Sequence, residues 1–337
     1  MNHISWNTTK RCNLYCKHCY RESGPEAMRD ELSTDEGKKL LDDIVKAGMR
    51  IIVFSGGEPM LRQDIFELIS YAKGIGMTCL MGSNGTLITR DKAKKLKDSG
   101  LKAIAISIDS LDPKKHNEFR GSATAFEDGI KGMRNCIDAG IRVQLNCTIT
   151  RENLNEIGDI AEFAQDMGAI SSHMLFLVGT GRGKDLEDIS LDTEEYKKAI
   201  NKIIDKDIEM DIQVKPTCAP QYKVESLLRG IKPIGNSRGC IAGISYCSIL
   251  PNGDVHICPY APVRVGSIRD ESFDYIWENN PIFKQLRDYK NYKGRCGSCR
   301  YINICGGCRA RAFSSTGDWL AEDPFCLFQK EVVCHEI

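Results

Sequence analysis

The stretch Ile51-Ile52-Val53-Phe54-Ser55-Gly56-Gly57-Glu58-Pro59 sets four apolar residues in an unbroken row and then stops at a polar, glycine-rich turn. A strand with one wet face alternates apolar and polar residues. An unbroken apolar row marks a strand buried on both faces, as in a parallel sheet covered by helices. Ile104-Ala105-Ile106 repeats the pattern. Working outward, strand-type runs fall at 3–9, 50–55, 77–83, 103–109, 142–148 and 171–178. Helical patterns fall between them at 34–47, 63–73, 89–99, 124–139 and 155–167. Ser33, Asp64 and Thr89 stand where N-caps belong, and Gly48, Gly74, Gly100, Gly140 and Gly168 where helices or turns close. Six strand-then-helix units predict an α/β protein with a parallel sheet or a partial barrel, here expected as a partial (β/α)6 barrel of the TIM type. Chemistry in such folds gathers at the C-terminal ends of the strands.

A further helix at 193–208 and a short strand at 211–214 lead into Pro216-Thr217-Cys218-Ala219-Pro220. After Gly230 the rhythm ends, and an irregular Gly-, Pro- and Cys-rich segment follows, with a hairpin expected over 248–255 turning at Asn252-Gly253. The division is expected near residue 235, giving a barrel unit (1–234) and a cysteine-rich extension (235–337). The 337 residues carry 46 Lys plus Arg and 46 Asp plus Glu, a net charge of zero, which argues against a non-specific nucleic-acid binder. No apolar run approaches the ~18 residues of a membrane span, and the first ten residues lack a signal pattern. A cytoplasmic location is therefore expected, where thiols stay reduced.

The chain holds 16 cysteines: three between Cys12 and Cys19, nine from Cys240 onward, and only Cys79, Cys136, Cys147 and Cys218 between. Cys79, Cys136 and Cys147 sit on strand or helix patterns and read as small core residues. Cys12-Asn13-Leu14-Tyr15-Cys16-Lys17-His18-Cys19 is C-x3-C-x2-C in the loop after the first strand. Three thiolates so close favour one iron–sulfur or zinc centre. Structural zinc wants four ligands, and His18, between Lys17 and Cys19, is poorly placed to be the fourth. Toward the other end, Cys240-x6-Cys247-x10-Cys258 precedes Cys296-x2-Cys299-x5-Cys305-x2-Cys308 and Cys326. Paired C-x2-C units are a strong metal signal, two zinc sites being the plainer reading.

C-x3-C-x2-C after the first strand of a β/α chain resembles the radical S-adenosylmethionine (SAM) superfamily. The resemblance implies that Cys12, Cys16 and Cys19 hold a 4Fe-4S cluster whose open iron binds SAM, with His18 where the family often sets an aromatic residue against adenine. Gly56-Gly57-Glu58 resembles the motif that meets the methionine ammonium. Asn84, Ser107 and Asp109 stand at later strand ends near the expected ribose or carboxylate, and Arg120 is expected to pair with that carboxylate. Asp109 has a competing reading as a helix cap.

The C-terminal array resembles the SPASM extension of that superfamily, implying one or two auxiliary 4Fe-4S clusters. By that pattern Cys240, Cys247, Cys258 and Cys308 serve one, and Cys296, Cys299, Cys305 and Cys326 the other, with Cys218 and Cys334 spare. Lys215-Pro216-Thr217-Cys218-Ala219-Pro220-Gln221, Arg238-Gly239-Cys240 and Cys305-Gly306-Gly307-Cys308-Arg309-Ala310-Arg311-Ala312 further resemble the haem-synthase branch.

What that branch implies is oxidative decarboxylation of two propionates of iron-coproporphyrin to vinyl groups, giving protohaem. No side chain is expected to be catalytic, because a 5′-deoxyadenosyl radical removes the hydrogen. Arg182, Lys215, Arg238, Arg309 and Arg311 are the expected carboxylate partners. His173 and His256 are candidate iron contacts. The expected partners are a porphyrin-type substrate and a low-potential electron donor such as a ferredoxin or flavodoxin, with no nucleic acid and no membrane. The rivals are a peptide- or sulfatase-modifying SPASM maturase, and a non-enzymatic electron carrier or zinc-binding module. The first triplet lies a dozen residues from the start, which counts against the peptide-recognition domain that many maturases carry ahead of the barrel.

Overall fold

The computed structural model describes residues 2–231 and 238–328. The expected division at 234/235 and Cys334 lie outside the described residues. Seven strands, β1 (His3–Asn7), β2 (Ile51–Ser55), β3 (Thr78–Ser83), β4 (Leu101–Ser107), β5 (Arg142–Ile149), β6 (Ser171–Phe176) and β7 (Gln213–Thr217), lie side by side in parallel. The connecting helices are α1 (Thr34–Lys46), α2 (Ile65–Gly74), α3 (Arg90–Ser99), α4 (Pro113–Arg120), α5 (Ala125–Asp138), α6 (Ile157–Asp166), α7 (Thr193–Glu209) and α8 (Tyr222–Leu228).

Three further strands, β8 (Tyr246–Ile249), β9 (Asp254–Cys258) and β10 (Ala261–Ser267), continue the same sheet beyond β1. The order is β10-β9-β8-β1-β2-β3-β4-β5-β6-β7, so the sheet is open, with β7 at one edge. β8 runs parallel to β1, pairing Ile4 with Cys247, and the β8–β9 hairpin turns at Gly253 with φ near +90°. The sheet is therefore continuous from the barrel strands into the cysteine-rich region.

Ser33 closes a reciprocal capping box with Glu36, and Thr89 accepts from Lys92 N–H. Asp64 does not cap. Its carboxylate is taken by Arg62 Nε (2.7 Å) and Nη2 (2.9 Å) and by the Thr34 hydroxyl (2.7 Å). The expected short strand at 211–214 reaches on to Thr217 and includes Pro216. A proline lacks an N–H and is tolerated there because β7 is an edge strand. Helix α4 follows from Asp112, whose side chain accepts from the Lys114 and Lys115 N–H groups, with Pro113 as first helical residue. Trp6, Phe54, Leu40, Ile52 and Ile104 fill the layer between sheet and helices, and Cys79, Cys136 and Cys147 are buried among them.

Candidate functional site

The loop leaving β1 is fixed by backbone contacts before any ligand is considered. Gly57 N–H donates to Thr9 O (2.7 Å), Glu58 N–H to Arg11 O (2.8 Å) and Cys12 N–H to Gly24 O (2.6 Å). A Cβ on Gly57 would stand 2.2 Å from Arg11 O, and one on Gly56 2.5 Å from Thr9 O. Both glycines therefore let two backbones touch, and both line the cavity described below. Arg182 ties the far side of the loop: Nε donates to Cys16 O (2.8 Å), Nη1 to Ser23 O (3.0 Å), and the guanidinium lies over the Tyr15 ring at 3.9 Å.

The three thiols of this loop are free and meet N–H donors. Cys12 Sγ accepts from Leu14 N (3.4 Å) and Asn84 Nδ2 (3.9 Å), Cys16 Sγ from Arg120 Nη1 (3.9 Å), and Cys19 Sγ from Ser23 N (3.4 Å). Burial pushes the Cys12 thiol up to about 12, so its thiolate needs a bound cation to persist at neutral pH. His18 stacks on Phe119 (4.2 Å, 12°) and is held neutral by burial, its pKa lowered to about 3. Its Nδ1 and the Nη2 of Arg182 are buried without partners among the described residues. This donor set suits an iron–sulfur cluster with a polar ligand beside it. Among the described residues no three His, Cys, Asp or Glu side chains converge on one ion, and a polynuclear cluster does not require it.

A cavity of about 790 Å³ opens over this loop and runs along the C-terminal ends of the strands to Cys218, Cys240, Cys258 and Cys308. Ser107 and Asn84, at the ends of β4 and β3, line it, and so do Arg120, Lys215, His173, Arg182 and Arg238, which come from helix, strand and loop positions. Arg238 packs on Tyr289 at 3.9 Å and on Tyr292 at 5.2 Å, while its three side-chain nitrogens have no partner among the described residues. Burial lowers the Lys215 pKa, and Lys215 pairs in register with His173.

Other expectations need correction. Glu58 does not line the cavity: its buried carboxylate accepts from Met60 N (3.2 Å), the Ser83 hydroxyl (2.8 Å) and Asn84 N (2.9 Å). It shapes the turn, and the glycines make the surface. Asp109 neither caps a helix nor lines the cavity. It pairs with Arg120 (2.6 Å) and accepts from Thr148 N (2.8 Å). Burial alone would raise the Asp109 pKa, but the Arg120 guanidinium outweighs it and brings it to about 2.

Arg309 and Arg311 are buried away from the cavity. Arg309 donates to the carbonyls of Trp319 (3.0 Å) and Ala321 (2.6 Å) and to Cys296 Sγ (3.6 Å). Arg311 forks onto Asp323 (2.7 and 2.9 Å) and reaches Tyr196 of α7 (3.2 Å). Arg311 ties the cysteine loop to the barrel through Tyr196, Arg309 braces it from within the C-terminal region, and neither lines the cavity as a carboxylate partner would. His256 likewise lies off the cavity.

The C-terminal cysteines form two groups. Cys296, Cys299, Cys305 and Cys326 surround a small hollow, with Cys299 Sγ accepting from Tyr301 N (3.4 Å) and Cys305 Sγ from Gly307 N (3.4 Å). Cys240, Cys258 and Cys308 line the large cavity, but Cys247 does not. It is buried on β8, next to Tyr246, which does line the cavity. Successive strand residues face opposite sides, so Cys247 points away. Sequence reasoning also missed the aromatic wall of His3, Tyr20, Tyr246 and Tyr260. His3 stacks on Tyr246 at 4.6 Å, and Tyr20 meets Tyr260 at 4.8 Å. No local pattern marks these four as neighbours. No helix among the described residues is long and apolar enough to cross a membrane.

An α/β sheet with a three-cysteine loop at its first strand end and two further cysteine groups is the architecture of a radical SAM enzyme. Residues 6–164 match the radical SAM superfamily and 240–308 match the SPASM iron–sulfur cluster-binding domain. Streptococcus suis SuiB, in a crystal structure with S-adenosylmethionine, superposes with a TM-score of 0.78 at 16% identity, covering 96% of this chain and 77% of that one. At that identity the match speaks for the fold alone.

In sequence the chain is 40% identical to the AdoMet-dependent heme synthase of Oleidesulfovibrio alaskensis, over 97% of this chain and 87% of that protein. It is 32% identical to the Fe-coproporphyrin III synthase of Methanosarcina barkeri, over 98% and 88%. The chain belongs to the radical SAM superfamily and, within it, to the haem-synthase family of enzymes. Its cofactors are SAM, the SAM-binding 4Fe-4S cluster and auxiliary iron–sulfur clusters, which sets aside the non-enzymatic and zinc-module readings.

Proposed function

We propose that this enzyme decarboxylates two propionates of iron-coproporphyrin to vinyl groups, forming protohaem. The observation that carries the reading is the single cavity joining the three-cysteine loop to a second cysteine group, with Lys215 and Arg238 on its wall. Its volume of about 790 Å³ lies in the upper part of the range of ligand sites, about 300–1,000 Å³.

Cys12, Cys16 and Cys19 would hold the SAM-binding cluster, and Gly56, Gly57, Asn84, Ser107, His18 and Arg120 would border SAM. When bound, SAM and its cluster would supply a 5′-deoxyadenosyl radical for removal of one hydrogen atom from a propionate β-carbon, and an auxiliary cluster would accept the one electron released as carbon dioxide departs. The chain's own work is placement. Arg238, propped on Tyr289 and without a hydrogen-bond partner among the described residues, offers a fixed fork to a carboxylate. Lys215 adds a second cation, and the tyrosine wall gives a flat apolar macrocycle a face to lie on. Gly57 and Arg182 hold the cysteine loop in register with that wall, so the C–H bond is presented at a set distance. A low-potential donor of the ferredoxin or flavodoxin type and a reducing, cytoplasmic setting belong to this reading, since free thiols must reach the clusters unoxidised.

Incubating the reconstituted, reduced protein with SAM and iron-coproporphyrin tests it. The expected products are protohaem and carbon dioxide. Formation of 5′-deoxyadenosine with no carbon dioxide released from the porphyrin sinks the reading and favours a maturase.

A further inference from the structure

We propose that Cys218, and not Cys247, is the fourth thiolate of the auxiliary cluster held by Cys240, Cys258 and Cys308. All four of these cysteines line the same end of the large cavity. The Sγ atoms of Cys218 and Cys308 are within hydrogen-bonding reach of one another, Cys258 neighbours Cys218, and Cys240 and Cys308 neighbour Cys258.

The backbone around Cys218 is built to hold it there. Its φ is +62°, the left-handed region, which a non-glycine residue keeps only where its surroundings hold it. Arg311 Nη1 fixes its carbonyl (3.2 Å). Two residues on, Pro220 packs so closely on Gly239 that a Cβ there would lie 2.8 Å from Pro220 O and 2.9 Å from Cys305 O. Gly239 N–H donates to Ile304 O (2.7 Å) and Cys240 N–H to Cys305 O (3.0 Å). Three separate segments are thus clamped together with their cysteines toward one space.

Cys247 lacks this placement. It lies within β8, fully buried and paired with Ile4, on the side of the strand away from the cavity. Bringing it round would shift β8 by one residue and turn Tyr246 out of the cavity wall. A fourth thiolate from Cys218 closes the cluster's coordination, leaving no iron position open to a substrate carboxylate.

The test uses the full chain reconstituted anaerobically with iron and sulfide, and reads iron content and the electron paramagnetic resonance (EPR) signals of the reduced and oxidised protein. The change that SAM induces in the N-terminal cluster's signal serves as a fold control. Cys218→Ala, with the better size match Cys218→Ser beside it, is expected to keep that SAM response. It should lose the auxiliary signal or convert it to a three-iron type on oxidation, with iron falling by about one to four atoms per chain. Cys247→Ala is expected to keep wild-type iron and signals. Wild-type iron and signals in both Cys218 variants, or loss of the auxiliary signal from Cys247→Ala, overturns the proposal. So does a Cys218–Cys308 disulfide found in the reconstituted wild-type protein.

Discussion

Arg120 Nε donates to Asp109 Oδ2 at 2.6 Å, and the same guanidinium reaches toward Cys16 Sγ at 3.9 Å. Both partners of the ion pair are buried, so the carboxylate at the end of β4 orients the one cation that touches the cysteine loop from this side. Arg120→Met would leave Asp109 as an uncompensated buried charge, expected to cost about 3–5 kcal/mol. Removing both charges with Asp109→Asn as well should recover much of it. Denaturant unfolding of the three proteins checks this, and a loss below about 1 kcal/mol in the single variant contradicts the pairing.

Gly57→Ala puts a methyl group 2.2 Å from Arg11 O and 2.6 Å from Lys10 O, both backbone atoms that cannot swing aside. The segment entering Cys12 must move. A shift of about 1 Å in positioning is enough to lower SAM cleavage by about 10²-fold. Gly74→Ala, whose methyl meets nothing within 4 Å, is the matched control. Equal cleavage rates in the two variants would refute the close-approach argument.

Arg238→Gln removes a cation from the cavity wall while keeping a polar side chain. Losing one charge-assisted contact of about 1.5–3 kcal/mol should weaken iron-coproporphyrin binding by roughly 10–150-fold, with SAM affinity unchanged. A titration followed by the porphyrin's visible absorption decides it.

Arg311→Met should behave in the opposite manner. Asp323 accepts from Arg311, Gln221 Nε2 (2.8 Å) and Cys308 N (2.7 Å), so the arginine is structural. Stability is expected to fall by about 3–5 kcal/mol while the folded fraction binds porphyrin normally. A large loss of porphyrin affinity in well-folded protein would return Arg311 to the list of ligand contacts.

His116 is buried and accepts from Asp109 N (3.1 Å), and burial lowers its pKa from 6.5 to about 4. Above pH 6.5 it is neutral folded or unfolded and contributes no pH dependence. As pH falls from 6.5 toward 4, the unfolded chain takes a proton that the native state refuses, which destabilises the native state by up to about 3 kcal/mol. His116→Gln should flatten the fall in unfolding free energy across that window. An unchanged slope would show that this histidine is not the group responsible.

The first six strands were legible as short apolar runs such as Ile51-Ile52-Val53-Phe54, but the expected burial on both faces is not what β2 shows: Ile52 and Phe54 are buried against the helices, whereas Ile51 and Val53 are half-buried and line the cavity. That Cys12, Cys16 and Cys19 share one space, and Cys296, Cys299 and Cys305 another, was legible because their spacing is local. What could not be read is long-range. Nothing in Tyr246-Cys247 tells which face turns toward the cavity until β8 is seen beside β1. Arg309 and Arg311 look like solvent or ligand cations, and their burial depends on carbonyls and a carboxylate that return 10 to 12 residues later. Asp64 and Asp109 followed capping patterns, yet a nearby arginine won each carboxylate, since a charged partner outweighs an N-cap contact.

The seam between Ile4 and Cys247 bears on how the molecule folds. β1 is the first strand to emerge, yet one of its two edges stays bare until β8, over two hundred residues later, arrives to cover it. A nascent or truncated chain ending before Tyr246 would present the root of its own three-cysteine loop as an unpaired edge, open to pairing with a stranger. The cysteine-rich tail is thus a closing stave, and a chimera that exchanges it for another must supply a strand to replace β8.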